Sequence, residues 1–181
     1  MKKFLIVLVF IIIMPVLAFA RPSGFGIGVV YQCELEWHED FAFYGNILGL
    51  SLKMPGSHMH MGIYFRSSEN ALNFSITGDR LIASNYFGSS NTLGYFIGIG
   101  AYFGFGHYKH FPEGESSYNT AALNVGARVP FGMSLFPVPF LELFGAITPR
   151  LGLDILLGGG GDTLQYPVGG VGFDFGLRLW L

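Results

Sequence analysis

Six charged side chains stand in stretches that are otherwise apolar or rich in glycine, and they are the first candidates for chemistry. They are Lys53, Asp79, Arg128, Glu142, Asp174 and Arg178. Three cations balance three carboxylates, so the set can be removed from water as ion pairs. We predict that these residues fill an interior as a plug, or gate a narrow polar pore through it.

Other residues that could catalyse a reaction lack the partners that catalysis needs. His107 and His110, with Glu113 close by, have a spacing that could hold a metal, but two histidines on a polar segment seldom do so. For a nucleophilic site, His107 with one of the serines at 116–117 is the single candidate, and it is a weak one. Cys33 is the only cysteine, which excludes a disulfide framework. We therefore expect no enzyme, no cofactor and no metal site.

The composition is typical of a strand-rich or membrane protein. Of the 181 residues, 51% are apolar and 12% are charged, and the charged share is about half that of soluble domains. So apolar a chain is not intrinsically disordered. A net charge of −2 without a basic run speaks against a nucleic-acid partner.

Residues 1–20 have the pattern of a cleaved signal peptide. Lys2 and Lys3 precede an apolar core, and Ala18 and Ala20 form an A-x-A cleavage site. The apolar core is shorter than a membrane-spanning helix requires. We expect export through the periplasm, followed by one domain over residues 21–181.

Eight later segments alternate between apolar residues and small or polar ones, which is the period of a β-strand. They are Gly24–Glu34, Phe41–Met54, His58–Arg66, Ala71–Ser84, Gly94–Phe105, Asn119–Pro130, Phe140–Arg150 and Gly170–Leu181. Each has about the 9–11 residues with which a tilted strand crosses a bilayer. Three connections are short turns and four are longer and polar, as in outer-membrane barrels. The prediction is an all-β fold, an eight-stranded antiparallel up-and-down transmembrane β-barrel with periplasmic short turns.

A secreted barrel that binds a ligand inside would show the same alternation. Its apolar face would point inward. Here the opposite face carries glycines and charges of both signs, which would be costly against lipid but fit a narrow interior. We therefore predict that the apolar face meets lipid and that the six charges lie in the lumen.

The sequence resembles small outer-membrane barrels at several places. Residues 173–181 are similar to the C-terminal strand by which bacterial outer-membrane proteins are recognised for insertion. Residues 127–136, 141–144 and 148–153 resemble the OmpW-like and OmpA-like barrels of spirochaete-type envelopes, and residues 95–102 resemble their fifth strand. The resemblance implies a monomer in the bacterial outer membrane, in contact with its lipids and with the barrel-insertion machinery.

The predicted strand ends set the depth of the charged residues. Arg128, Glu142 and Arg178 each lie two to four residues from the predicted periplasmic end of their segments. They should therefore lie at one level, with Glu142 bridging both arginines.

A lateral exit is a second prediction. Pro149 in the seventh segment has no amide hydrogen for the strand ladder. Together with Gly145 and Gly152 it could weaken pairing with the eighth segment and open the wall there. The resemblance to OmpW-like barrels implies that small hydrophobic solutes would leave through such an opening.

The outer loops are predicted to be acidic. Their carboxylates include Glu36, Glu39, Asp40, Glu113 and Glu115. They form either a solvated rim or a surface for a host or environmental ligand. Two functions stay open: an OmpW-like narrow channel for small or hydrophobic molecules, which the resemblance favours, and a plugged OmpA-like surface barrel, which the balanced inner charges favour.

Overall fold

All regular structure in the described part of the chain is β. The computed structural model describes residues 24–37, 41–54, 58–68, 71–88, 92–110, 118–157 and 164–181, so the predicted signal peptide lies outside the described residues. The strands are β1 (Gly26–Trp37), β2 (Phe41–Lys53), β3 (Met59–Ser68), β4 (Ala71–Tyr86), β5 (Leu93–His110), β6 (Tyr118–Arg128), β7 (Phe131–Val138), β8 (Leu141–Leu157) and β9 (Leu164–Trp180). No helix among these residues is long and apolar enough to cross a membrane.

The strands close into a barrel. Antiparallel pairing runs around the sheet, and β1 pairs with β9, so the described strands leave no open edge. The strands β6 and β7 share one position in the barrel, because β5 and β8 pair with β6 toward one end and with β7 toward the other. The predicted eight-stranded antiparallel barrel is confirmed, with its sixth strand in two pieces.

The two ends of the barrel can be named by their connections. The turn end carries the connections β2–β3, β4–β5 and β7–β8, and the loop end carries β1–β2, β3–β4, β5–β6 and β8–β9. A line of paired residues that starts at Gly26 and follows the ladders around the barrel returns at Glu36, ten residues nearer the loop end. This stagger tilts the strands and sets the height at which side chains of different strands meet.

The sixth strand is interrupted at Val129 and Pro130. Pro130 cannot donate to the ladder. Its carbonyl accepts from the Gly98 amide at 2.9 Å, and the Val129 amide donates to the Pro149 carbonyl at 3.0 Å. These bonds hold the chain in place until pairing resumes in β7. The sixth strand therefore does not end at Pro130, as the alternation predicts, but continues to Val138 at the turn end.

Strands β5, β8 and β9 extend furthest beyond their predicted bounds toward the loop end, and β1 continues there to Trp37. The strand β5 continues to His110, β8 continues to Leu157, and β9 already begins at Leu164. Glycine and polar residues interrupt the apolar alternation in these stretches, so the sequence pattern assigns them to loops. The connections at the loop end are correspondingly shorter than expected.

Apolar side chains cover the outside of the barrel, while glycine, polar and charged residues face the lumen. The exposed apolar residues include Val29, Leu48, Phe65, Ile99, Phe103, Ile147 and Phe175. A ligand-binding barrel in water has the opposite arrangement. The predicted assignment of the two faces is therefore confirmed.

Candidate functional site

The lumen holds its charged residues in three clusters, and the cluster at the turn end is centred on Glu142 and Arg178. The two residues are opposite each other in the β8–β9 ladder, and Arg178 Nη1 donates to Glu142 Oε1 at 2.8 Å. Ser134 Oγ donates to the same oxygen at 2.6 Å, and Trp180 Nε1 donates to Glu142 Oε2 at 3.0 Å. Arg178 Nε donates to Ser51 Oγ at 2.6 Å. Both charges are thus removed from water with their hydrogen bonds satisfied.

The second cluster lies near the middle of the lumen. Arg128 Nε lies 3.1 Å from Asp79 Oδ1, and Arg128 Nη2 lies 3.5 Å from Asp174 Oδ2. Asp174 also accepts from Gln32 Nε2 at 2.8 Å and from Thr148 Oγ1 at 2.9 Å. The three charged side chains are buried, so one guanidinium serves two carboxylates away from water.

The structure does not bring Arg128 to Glu142, so the predicted bridge between the two arginines is wrong. The prediction placed the turn end of the sixth strand at Pro130. Because that strand continues through β7, Arg128 is opposite Arg150 in β8, eight residues beyond Glu142 toward the loop end. Glu142 therefore pairs with Arg178 alone, and Arg128 pairs with Asp79 and Asp174.

His60 links the two clusters. Its Nε2 lies 2.9 Å from Ser51 Oγ and 2.8 Å from Arg178 Nη2, and its Nδ1 lies 3.7 Å from Asp79 Oδ2. A guanidinium can only donate, so Nε2 accepts and the ring proton is on Nδ1, facing Asp79. His60 was absent from the predicted plug. Its place on the inward face of the alternating segment His58–Arg66 is the signal that could have identified it.

Lys53 lies at the turn-end mouth of the lumen, below the ion pairs. Its Nζ is 5.3 Å from the centroid of the Trp180 ring, whose indole nitrogen binds Glu142. Phe136 stacks on Trp180 at 6.4 Å between ring centroids, and Tyr86 stacks on Phe136 at 5.7 Å. Lys53 is therefore connected to the Glu142–Arg178 cluster through the ring of Trp180.

The third cluster lies toward the loop end and is centred on Arg150. This residue forms ion pairs with Glu34 and Glu36 of β1, and its guanidinium lies 5.2 Å from the centroid of the Tyr102 ring. The assignment of Glu36 to an acidic outer loop is wrong, because β1 continues to Trp37 and directs Glu36 toward Arg150. Arg150 was absent from the predicted plug, although it is the last residue of the predicted seventh segment and the alternation there already places it on the inward face with Glu142.

The remaining loop predictions fall outside the described residues. They concern Glu39, Asp40, Glu113 and Glu115. Glu113 was also part of the candidate metal site with His107 and His110, which therefore stays untested. In the part of the chain that the structure describes, no three histidine, cysteine or acidic side chains are grouped so as to hold a metal.

Cavities lie at both ends of the lumen, and the clusters of Arg128 and Arg178 lie between them, while Arg150 and Glu36 of the third cluster line the loop-end cavity. The loop-end cavity has a volume of about 80 Å³, and its lining includes Tyr44, Arg66, Asn73, Tyr102, Asn124 and Arg150. The turn-end cavity has a volume of about 300 Å³, and its lining includes Lys53, Tyr86, Phe96, Ser134 and Phe136. No described residue lines both cavities. The buried ion pairs of Arg128 and Arg178 occupy the section between them.

The predicted opening beside Pro149 is absent from the ladder between β8 and β9. That ladder runs without a register shift from Leu141 to Leu156, and Pro149 is opposite Val171 within it. The Pro149 carbonyl accepts from Val129, so the side of Pro149 that lacks an amide hydrogen faces the broken sixth strand. The weakest pairing in this part of the wall is therefore between the sixth strand and β8.

Gly152 leaves the space that the Tyr102 side chain occupies in the lumen. A Cβ on Gly152 would lie 2.3 Å from Tyr102 Oη, and a Cβ on Gly126 would lie 2.6 Å from Tyr102 Cε1. Gly145 on the same strand differs, because the nearest atom to a Cβ there is Phe175 Cδ1 at 3.6 Å. The two glycines beside Tyr102 are thus required for the close approach of its ring.

We expect Gly152→Ala to destabilise the barrel by about 1–3 kcal/mol, because the added methyl group overpacks the contact with Tyr102. Gly145→Ala is the matched control on the same strand, and it should change the free energy of unfolding by less than about 0.5 kcal/mol. Urea unfolding in detergent, followed by the mobility of unheated protein in gels, measures both. Equal unfolding midpoints for the two variants would contradict this role of Gly152.

Comparisons with known proteins agree with the fold. The model of a family described as "Protein of unknown function (DUF3996)" matches residues 44–177. Curated proteins give no match. The solved structure of Neisserial surface protein A is similar with a TM-score of 0.56 and 12% identity, over 88% of this chain and 98% of that one. A major outer membrane protein from Thermus thermophilus is similar with a TM-score of 0.50 and 10% identity, over 84% and 98%. At these identities the likeness concerns the fold; the OmpW-like and spirochaete-type features stay predictions.

Proposed function

The chain belongs to the DUF3996 family, and we propose that it is a plugged outer-membrane barrel that acts at its loop-end surface and passes no solutes along its lumen. The observation that carries this proposal is the buried network across the lumen. It contains the pair Glu142–Arg178 and the cluster of Arg128 with two aspartates, joined through His60. Each charge has a partner of opposite sign in a site closed to water, which makes separation of the pairs costly.

The location in the outer membrane rests on the outside of the barrel. Its apolar band suits lipid, and closed barrels of this kind cross bacterial outer membranes with short turns in the periplasm and longer loops outside. The likeness to solved outer-membrane barrels supports the same location. On this basis the turn end faces the periplasm and the loop end faces the exterior.

The loop-end mouth has the chemistry of a polar recognition surface. The Arg66 guanidinium lies 4.3 Å from the centroid of the Tyr44 ring, and Asn124 Nδ2 donates to Asp154 Oδ1 at 2.5 Å. The cavity of about 80 Å³ accepts several waters or one side chain. Ligands would therefore contact the rim and insert at most a small group, which suits a surface-binding barrel.

The broken sixth strand supports a second candidate, lateral passage of hydrophobic molecules. Pro149 cannot donate a hydrogen bond across the seam between the sixth strand and β8. Pro130 faces β5, whose Gly98 amide donates to its carbonyl, so the sixth strand is interrupted beside the same seam. A small cavity of about 20 Å³, lined by Thr148 and Arg128, lies in the lumen close to this seam. Proteoliposomes that take up an apolar dye faster when they contain the barrel would favour this candidate.

Planar-bilayer conductance tests the plugged barrel directly. The folded wild-type protein should give no discrete current steps, and Leu143→Ala, which changes the outer face of β8, should be equally silent. Glu142→Ala combined with Arg178→Ala removes one of the two barriers without leaving an unpaired charge, so we expect brief, irregular openings. Steady current steps from the wild-type barrel would contradict the proposal and favour a narrow channel.

A further inference from the structure

Arg80 is a charged residue on the outer wall of the barrel. It lies between Asp79 and Leu81, both of which are buried in the lumen, so the alternation of β4 directs it outward. Among the side chains that the structure describes, it is the one exposed charge. No carboxylate in the described residues pairs with it. An arginine facing lipid in this way is costly unless its guanidinium reaches interfacial water, lipid headgroups or an anionic partner.

The wall beside Arg80 contains a groove. Arg80 is opposite Met59, the first residue of β3, and the Leu81 amide donates to the His58 carbonyl at 2.6 Å. Beyond this point β4 continues to Tyr86 with β5 as its strand partner in the described residues. The step where β3 stops leaves a groove of about 710 Å³, lined by His58, Arg80, Ile82, Ser84, Tyr95 and Ile99.

A register shift widens the groove. The β4–β5 ladder shifts between Leu81 and Ala83, and Ile82, the residue between them, is 65% exposed. Such a bulge bends its strand and re-aims the neighbouring side chains. The groove therefore combines an apolar floor from Ile82 and Ile99 with the Arg80 cation at its loop-end edge and Tyr95 toward the turn end.

The groove lies on the turn-end half of the outer wall. Tyr95 and Phe87 pack against each other at 5.3 Å between ring centroids at the turn end, and aromatic residues of this kind line membrane interfaces. Arg80 lies on the loop-end side of this pair, five residues before Asn85, which is opposite Tyr95 in the β4–β5 ladder. A guanidinium near the interface can reach headgroup oxygens, whereas one at the bilayer centre would be strongly disfavoured.

We propose that Arg80 and this groove bind the phosphate group of a phospholipid in the leaflet at the turn end. The guanidinium donates to the phosphate oxygens, and the Tyr95 hydroxyl offers a further donor. The acyl chains lie along Ile82 and Ile99. Arg80, Ile82 and Ile99 are exposed on the outer wall, so the proposal does not depend on whether the lumen conducts.

Native mass spectrometry of the folded barrel in detergent tests the site with three probes: dimyristoyl phosphatidylglycerol, a galactosyl diacylglycerol without phosphate, and inorganic phosphate. The wild type should retain one phosphatidylglycerol in preference to the galactolipid. Arg80→Gln should weaken that retention by about tenfold, the loss expected for one charge-assisted contact. Arg80→Lys, which keeps the charge, should retain most of it. Val29→Gln, which places the same amide on the outer wall of β1, should bind as the wild type does.

Three results would overturn the proposal. One is equal retention of phosphatidylglycerol by Arg80→Gln and the wild type. Another is equal retention of the two lipids by the wild type, a comparison that remains decisive if Arg80→Gln does not fold. The third is displacement of the lipid by inorganic phosphate at equal concentration, which would indicate a site for free anions. Unheated gel mobility confirms that each variant forms the barrel before lipid is added.

Discussion

Glu142→Ala is expected to destabilise the folded barrel by about 3–5 kcal/mol, the usual cost of removing one partner from a buried ion pair. Arg178 is 1% exposed and would keep its charge in a site without a carboxylate. Ser134 and Trp180 would lose the oxygens to which they donate. Urea unfolding of the barrel in detergent, followed by circular dichroism and unheated gel mobility, measures the loss.

Two matched variants separate the charge from the space that Glu142 fills. Glu142→Gln keeps the shape and one acceptor oxygen, so its loss of stability should be smaller than that of Glu142→Ala. Adding Arg178→Ala to Glu142→Ala removes the unpaired charge and should recover a large part of the lost stability. A double variant that is less stable than Glu142→Ala by the full cost of Arg178→Ala alone would show that the two residues are not coupled.

Arg128→Leu is expected to have an effect of at least the same size, about 3–5 kcal/mol. Arg128 is the guanidinium that pairs with both Asp79 and Asp174, which are 0% and 3% exposed. Without it, two carboxylates repel each other in a site that water does not reach. The same unfolding measurement applies, and far-ultraviolet spectra of the folded state check that the strands persist.

Neutralising the two carboxylates is the control for Arg128→Leu. Asp79→Asn and Asp174→Asn together, in the Arg128→Leu background, should restore much of the lost stability because no buried charge remains. Lys53→Leu removes a lumen cation that faces an aromatic ring at 5.3 Å, so its loss should stay near 0.5–1 kcal/mol, about the value of a cation–π contact. Equal losses for Lys53→Leu and Arg128→Leu would contradict a central role for Arg128.

The faces of the strands could be predicted from the sequence, because they depend only on neighbouring residues. Alternation with period two places Asp79, Glu142 and Arg178 in the lumen wherever the strand is recognised. The same rule places His60 and Arg150 in the lumen, because both lie within predicted segments, but neither was assigned a role in the predicted plug. The alternation rule therefore assigns both residues to the correct face, and only their part in the charged clusters was not predicted.

Which lumen residues meet could not be predicted in the same way. The prediction paired Arg128 with Glu142 because it took Pro130 as a strand end, whereas hydrogen bonds from Val129 and to the Pro130 carbonyl carry the strand onward. A proline lowers the local preference for a ladder, but the neighbouring strands β5 and β8 decide whether pairing resumes beyond it. That decision lies in residues far away in the sequence.

By itself the sequence determined the class of fold, the number of barrel strands and the apolar outside with its charged interior. The tertiary structure decided the three clusters, the link through His60, the seam beside Pro149 and the groove beside Arg80. The physical reason is the stagger of the barrel. The height of a side chain along the barrel axis depends on the pairing register of every pair of neighbouring strands. A line of opposite residues that starts at Gly26 of β1 and passes once around the barrel returns to β1 at Glu36, ten residues away. Local alternation contains no information on that sum, so partners across the lumen follow only from the closed barrel.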